Sequence, residues 1–177
     1  MTKLLAVAAL GLALTGCNAT EPTSAPSPAT LSCPDGYPDG LSAALGDSRS
    51  GDKQVEILPD TAAFLEVPGP VEPQDGCFVV VIDGEQQLRM GLVPGDGQTL
   101  HSLGQAMEAS GLTPTETGDN VVADASYTTP DGVQYILMDR EETMGSTNLF
   151  SQTFGSLFEQ YFPADQELIM IVAIVGA

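Results

Sequence analysis

Two hairpin patterns, each followed by a helical pattern, run through the second half of the chain. Residues 77–82 form a β-branched run, and residues 86–93 alternate apolar with polar side chains. The Asp-Gly pair at 83–84 between these runs predicts a tight turn and hence an antiparallel hairpin. Asp96 can then cap a helix over 98–110, where apolar residues recur every three or four positions.

The same order of elements comes again further along. Residues 121–128 and 133–139 flank a Pro-Asp-Gly turn, which predicts a second hairpin. A helix over 147–162 follows, and Phe154 and Phe158 belong to a stripe of large apolar side chains at helical spacing. The repetition suggests two ββα units that arose by internal duplication.

Two further strands complete the expected sheet. Residues 53–58 alternate polar with apolar side chains, and residues 168–175 are eight consecutive apolar residues, typical of a strand buried on both faces. Residues 34–52 repeat Pro-Asp-Gly, which predicts loops with a helical turn near 41–45. The pattern as a whole predicts an α+β fold, a mainly antiparallel sheet of five to six strands with two helices packed on one face.

The beginning of the chain has the pattern of an export signal. Lys3 precedes an uncharged apolar run over 4–14. This run is shorter than the roughly 20 apolar residues that a membrane-spanning helix needs, so a cleavable signal is favoured over a retained helix. The run ends in Leu14-Thr15-Gly16-Cys17.

This tetrapeptide resembles the lipobox of bacterial lipoproteins. In that family the cysteine thiol receives a diacylglyceryl group, a peptidase cuts before the cysteine, and the new amino group can carry a further fatty acid such as palmitate. The resemblance implies that residues 1–16 are a signal peptide and that Cys17 is lipidated. It places the mature chain on the extracytoplasmic side of the cell membrane, with the membrane as its partner through the lipid anchor. An ordinary signal peptide or a buried Cys17 is the alternative.

The mature sequence divides into a tether and one domain. Residues 17–32 begin with the lipidated cysteine. The rest of this segment is rich in Pro, Ser, Thr and Ala and has no apolar periodicity, which is typical of an extended linker. Residues 33–177 form a single acidic domain in this interpretation. The chain has Lys+Arg 5 against Asp+Glu 24 and a net charge of −19. Phosphate backbones repel such a surface, so nucleic acid is excluded as a partner.

The cysteine count points to a disulfide. With Cys17 assigned to lipid, Cys33 and Cys77 remain as an even pair. Outside the membrane this pair can oxidise, and the closed loop would stabilise the fold by about 4 kcal/mol in the chain-entropy model. A metal or redox pair is the weaker alternative, because neither cysteine belongs to a Cys-x-x-Cys motif.

Candidate catalytic residues are few. His101 is the one histidine in the sequence, and a single imidazole cannot build a histidine-rich zinc site. Carboxylate pairs such as Glu141 with Glu142, or Asp119 with Asp124, are the remaining route, of the kind that glycosidases use. The Asp-Gly pairs lack the spacing of a calcium loop and predict turns. We therefore expect no enzymatic activity, no cofactor and no metal.

The sequence leaves three functions to compare, and no family is recognised in residues 33–177. The first is a non-enzymatic surface module that binds another envelope protein or polymer. The second is a carrier that holds an apolar ligand between the sheet and the second helix, beside Phe154 and Phe158. The third is an envelope hydrolase with two carboxylates. Arg89 and Arg140 are predicted to make local ion pairs rather than to bind a ligand.

Overall fold

One antiparallel sheet organises the part of the chain that the computed structural model describes, which is residues 31–46, 51–66, 74–116, 123–145 and 149–176. The helices are α1 (Tyr37–Ala44), α2 (Thr61–Leu65), α3 (Gly97–Ala109), α4 (Arg140–Gly145) and α5 (Leu149–Tyr161). The strands are β1 (Gln54–Leu58), β2 (Cys77–Asp83), β3 (Gln86–Pro94), β4 (Thr113–Pro114), β5 (Ala125–Thr128), β6 (Gln134–Asp139) and β7 (Leu168–Val175). The expected signal peptide, lipidated Cys17 and most of the tether lie outside the described residues.

The sheet confirms the α+β class and the antiparallel pairing. Its strand order is β1-β2-β3-β7-β6-β5-β4, and all neighbouring strands are antiparallel. The described residues contribute seven strands rather than the expected five to six. The additional strand, β4, consists of Thr113 and Pro114 alone, and two residues are too few to show an alternating pattern.

Helices cover both faces of the sheet, so the expectation of two helices on one face is wrong. On the first face, Tyr37 and Leu41 of α1 and Phe158 of α5 join one core cluster. On the second face, Phe64 of α2 and Leu103 of α3 join another. The reason lies in β7, the central strand, which is apolar on both sides and therefore needs cover on both faces.

The two hairpins lie on opposite sides of β7. Strands β3 and β6 both pair antiparallel with β7, so they run parallel to each other. The helix that follows the first hairpin, α3, covers the second face, whereas α5, which follows the second hairpin, covers the first. A twofold axis along β7 would relate two ββα units in this way. The internal duplication itself stays a prediction.

The N-terminal part of the domain is more helical than its turn-rich sequence suggests. The second Pro-Asp-Gly does not form the predicted turn, because Pro38 lies in the first turn of α1, where a missing N–H costs nothing. Tyr37 and Leu41 lie one helical turn apart and are both fully buried. Further on, Asp60 accepts a hydrogen bond from the Ala63 N–H at 2.9 Å and thereby caps α2.

A disulfide joins Cys33 to Cys77, as the sequence predicts. Cys77 is the first residue of β2 and is fully buried, so the bridge attaches the start of the domain directly to an inner strand of the sheet. None of the helices in the described ranges is long and apolar enough to cross a bilayer.

Candidate functional site

Among the residues that the structure describes, the sheet ends in two edge strands that differ in how well they are protected. The edge strand β4 has two residues, and Pro114 cannot donate a hydrogen bond to a further strand. The opposite edge strand, β1, has five residues and no proline. An edge strand exposes a row of unpaired N–H and C=O groups that can pair with another chain. The β1 edge, Gln54–Leu58, is therefore the better template for a partner strand.

The register of the sheet identifies which backbone groups of β1 point outward. The two-residue turn at 84–85 joins β2 to β3 and makes Asp83 and Gln86 a hydrogen-bonded pair. Hydrogen-bonded pairs alternate along an antiparallel ladder, so the residues of β2 that bond to β1 are the other set. The residues of β1 that bond to β2 are Gln54, Glu56 and Leu58. Val55 and Ile57 therefore direct their N–H and C=O groups away from the sheet.

A hydrogen bond at the far side of the sheet supports this alternation. Carried from β2 across β3 to β7, the same pattern makes Gly95 and Glu167 bonded partners just beyond the end of the ladder. The Gly95 N–H does donate to the Glu167 carbonyl at 3.1 Å. The assignment of Val55 and Ile57 as the outward residues therefore follows from a consistent register.

The side chains of these two residues line a groove on the first face of the sheet. Val55 is half-buried, whereas Ile57 is 61% exposed and so offers apolar surface to a ligand. The groove has a volume of about 290 Å³, and we call it the edge groove. Its lining residues are Cys33, Pro34, Asp35, Gly36, Pro38, Asp39, Val55 and Ile57. Outward-pointing backbone groups and an apolar side chain thus meet in one concave site.

The far wall of the edge groove is held in place by the core. Tyr37 lies between the wall residues Gly36 and Pro38 in the sequence and is fully buried, with its hydroxyl donating to the sulfur of Met90 at 2.9 Å. Its ring makes edge contacts with Tyr161 and Phe162 at 5.7 and 5.1 Å between centroids. Burial raises the pKa of Tyr37 well above its usual range, so the hydroxyl stays a neutral donor. Together with the disulfide at Cys33, these contacts hold the groove in shape before any ligand arrives.

The charges around the edge groove are negative. Asp35 and Asp39 are exposed on its wall, and Glu56 is exposed on the opposite face of β1. Lys53 precedes β1, but its ammonium group donates to the carbonyls of Ser42 and Gly46 at the end of α1. Lys53 lines a different cavity and not the groove. An incoming cation would therefore meet carboxylates on both faces of β1.

A second concave region lies where β3 and β6 end and β7 begins. This acidic cleft has a volume of about 410 Å³. Its charged lining residues are Asp96, Asp139, Arg140, Glu141, Asp165 and Glu167. Asp96 already caps α3, where hydrogen bonds from the backbone N–H groups of Thr99 and Gln98 lower the pKa of its carboxyl. In the described ranges, no three potential metal ligands converge into a site.

The structure describes the side chain of only one member of each carboxylate pair that the sequence offered for catalysis. Asp119 lies outside the described residues, and the carboxylate of Asp124 accepts a hydrogen bond from the Asp139 backbone N–H at 2.7 Å. Glu141 lines the acidic cleft, while the side chain of Glu142 is not among those described. His101 is exposed on α3 and contacts Gln105 at 3.2 Å. The described contacts of Asp124 and His101 are thus to residues of the domain itself.

The two arginines have structural partners. Arg89 is 6% exposed, and its guanidinium pairs with the Glu66 carboxylate at 2.7 Å, which confirms the predicted ion pair. It also donates to the carbonyl of Phe64 at 3.0 Å, at the end of α2. The described partners of Arg140 are not carboxylates. They are the backbone carbonyls of Phe162, Pro163 and Gln166, so this side chain caps the end of α5.

Arg89→Met is expected to destabilise the domain by about 2 kcal/mol, because it leaves the buried Phe64 carbonyl without a donor. The matched variant Glu66→Gln should cost less than about 1 kcal/mol, because the Glu66 side chain is 64% exposed and its ion pair is screened. Urea unfolding of both variants measures the difference. Equal and small losses would show that the bond from Arg89 to the Phe64 carbonyl does not stabilise the domain.

The aromatic stripe of α5 belongs to the core. Phe154 is 5% exposed and Phe158 is 1% exposed, and both join the first-face cluster. Neither residue lines the edge groove, the acidic cleft or the cavity beside Lys53. The carrier of an apolar ligand stays a prediction.

Family models, curated proteins and solved structures contain no significant match to this chain. The residues themselves are thus the only guide to function. The sequence interpretation recognised residues 53–58 as a strand but did not single out Ile57 or Asp35. The sequence features that could have indicated the site were Ile57 on a strand that alternates polar with apolar residues and the nearby Pro-Asp-Gly repeats. What the sequence could not show is that this strand lies at an edge of the sheet.

Proposed function

We propose that this chain is a lipid-anchored protein of the cell membrane whose extracytoplasmic domain is a non-enzymatic binding module. It holds a partner protein of the envelope by adding an extended segment of that partner to β1. The observation that carries the proposal is the coincidence of outward backbone groups at Val55 and Ile57 with the edge groove. Strand addition uses this combination, with backbone bonds for affinity and a groove for side-chain recognition.

The proposed location rests on two independent features of the chain. The tetrapeptide ending in Cys17 resembles a lipobox, and the Cys33–Cys77 disulfide fits an oxidising compartment. Residues 18–32 would span roughly 50 Å if fully extended. They would join the domain beside the edge groove, since Cys33 and Pro34 are part of its lining. The binding site would then lie near the anchored end of the domain.

Site-specific crosslinking in intact cells tests the proposal. A photoreactive amino acid at position 57 should form a covalent adduct with a second polypeptide, and the adduct's peptide map should locate the crosslink in an extended segment. The same amino acid at position 115, next to the proline-blocked edge, serves as the matched control and should give no such adduct. Adducts of equal yield at both positions, or none at 57, would refute binding at β1.

Proline substitutions test which N–H groups of β1 point away from the sheet and which bond to β2. Ile57→Pro removes an N–H that points away from the sheet, so the free energy of unfolding should change by less than about 1 kcal/mol. Glu56→Pro removes an N–H that bonds to β2 and should cost about 2 kcal/mol or more. Ile57→Pro should nevertheless abolish the crosslinked adduct when the photoreactive residue is moved to position 38. A reversed order of stabilities would disprove the assigned register.

A further inference from the structure

We propose that the segment bound at the β1 edge is positively charged and alternates cationic with apolar side chains. This inference rests on the proposed function and names the chemistry of its partner. The proposed chemistry is derived from the side chains of this protein that would contact each face of an added strand. The partner is thus expected to be an extended basic segment of another envelope protein, distinct from a second copy of this chain.

The alternation follows from the pleat of the strand. Successive side chains of an added strand point to opposite faces, so every second one would lie over the edge groove and contact Val55 and Ile57. Apolar side chains suit these positions, because they would cover the exposed surface of Ile57. The intervening side chains would lie on the opposite face beside Glu56, which is exposed there. A cation is the favourable cross-strand neighbour of a carboxylate.

The electrostatic field of the protein also favours a positively charged segment. Asp35 and Asp39 lie on the groove wall, and the chain carries a net charge of −19. A basic segment would be attracted to this edge from a distance, and an acidic one repelled. The attraction should weaken as added salt screens the carboxylates.

A second copy of this chain fits the edge poorly. Two β1 strands paired antiparallel about their central residue would place Glu56 opposite Glu56, and like charges directly opposite each other are destabilising. Each copy would also bring a net charge of −19. The edge is therefore better matched to a partner of opposite charge than to self-association.

Peptide binding to the intact lipoprotein in neutral detergent tests the inference. The probes are short synthetic peptides in which valine alternates with lysine, with threonine or with glutamate. The lysine peptide should bind about tenfold more tightly than the threonine peptide, and the glutamate peptide should bind most weakly. High salt should reduce the affinity for the lysine peptide towards that for the threonine peptide.

Two controls distinguish strand addition from simple attraction between opposite charges. A lysine peptide with N-methylated amides keeps its charge but cannot pair with β1, and it should lose about tenfold in affinity. Ile57→Pro should cause a similar loss with the unmodified peptide, whereas Glu56→Gln should selectively weaken the lysine peptide and leave the threonine peptide unchanged.

Four results would contradict different parts of the inference or of the proposed function. Equal affinity for lysine and threonine peptides would overturn the proposed charge and leave strand addition intact. Equal binding of the methylated peptide would overturn strand addition by the basic segment. Concentration-dependent dimers in sedimentation that are lost in Ile57→Pro would identify a second copy as the occupant and overturn the inference. A crosslinked partner at position 57 combined with no peptide selectivity would refute the partner chemistry alone.

Discussion

Replacing Cys33 and Cys77 by alanine is expected to lower the free energy of unfolding by about 4 kcal/mol. The bridge closes a loop with a sequence separation of 44, so its loss returns considerable freedom to the unfolded chain. It also frees one end of the groove wall, because Cys33 lines the edge groove and Cys77 lies in the fully buried start of β2. The double variant should therefore lose affinity for a partner strand as well as stability.

Urea unfolding of the oxidised, reduced and double-variant proteins measures the effect. Reduction should move the unfolding midpoint of the natural protein to that of the double variant and leave the variant unchanged. Identical midpoints before and after reduction of the natural protein would show that the disulfide contributes nothing to stability.

Cys17→Ser is expected to release the protein from the membrane fraction altogether. The apolar run over 4–14 is too short to span a membrane, so stable attachment would depend on the acyl chains that the lipobox resemblance implies. The serine variant offers no thiol for the diacylglyceryl group and should accumulate as an uncut precursor. Membrane fractionation and the mass of the N-terminal peptide measure both effects.

The double alanine variant of Cys33 and Cys77 is the matched control for Cys17→Ser. It removes two thiols but keeps the lipobox, and so it should remain in the membrane fraction. Normal maturation and unchanged membrane attachment of the Cys17→Ser protein would contradict the lipid anchor.

The local patterns predicted most elements of the sheet. Helix α3 begins after Asp96 and ends at Ala109, close to the range indicated by the cap and the apolar stripe. The β2–β3 hairpin follows from alternation on either side of an Asp-Gly pair. In both cases the decisive interactions are between residues close in sequence, so the sequence pattern contains them.

The arrangement of the helices needed information from distant parts of the chain. Periodicity shows that a helix has an apolar face, but not which face of the sheet receives it. The apolar run of β7 already indicated that both faces of the sheet are covered, because a strand buried on both sides needs packed layers on both faces. Helix α1 was obscured by its turn residues, and Tyr37 and Leu41 identify it only through their burial against the sheet.

The candidate site depends on strand order, which no local pattern gives. The sequence predicted β1 as a strand with Val55 and Ile57 on one side. In the described part of the chain β1 pairs with β2 alone, which makes these residues an edge, and the packing of α1 places Pro34 and Asp35 beside them.

Amide hydrogen exchange of residues 54–58 tests strand addition at β1 most directly. It is measured on the natural protein with and without the partner that the crosslinking identifies. In the free protein the amides of Val55 and Ile57 should exchange rapidly, while the amide of Glu56 should be protected by its bond to β2. In the complex the amides of Val55 and Ile57 should become protected and that of Glu56 should change little. Rapid exchange at Val55 and Ile57 in both states would contradict binding of a partner strand at this edge.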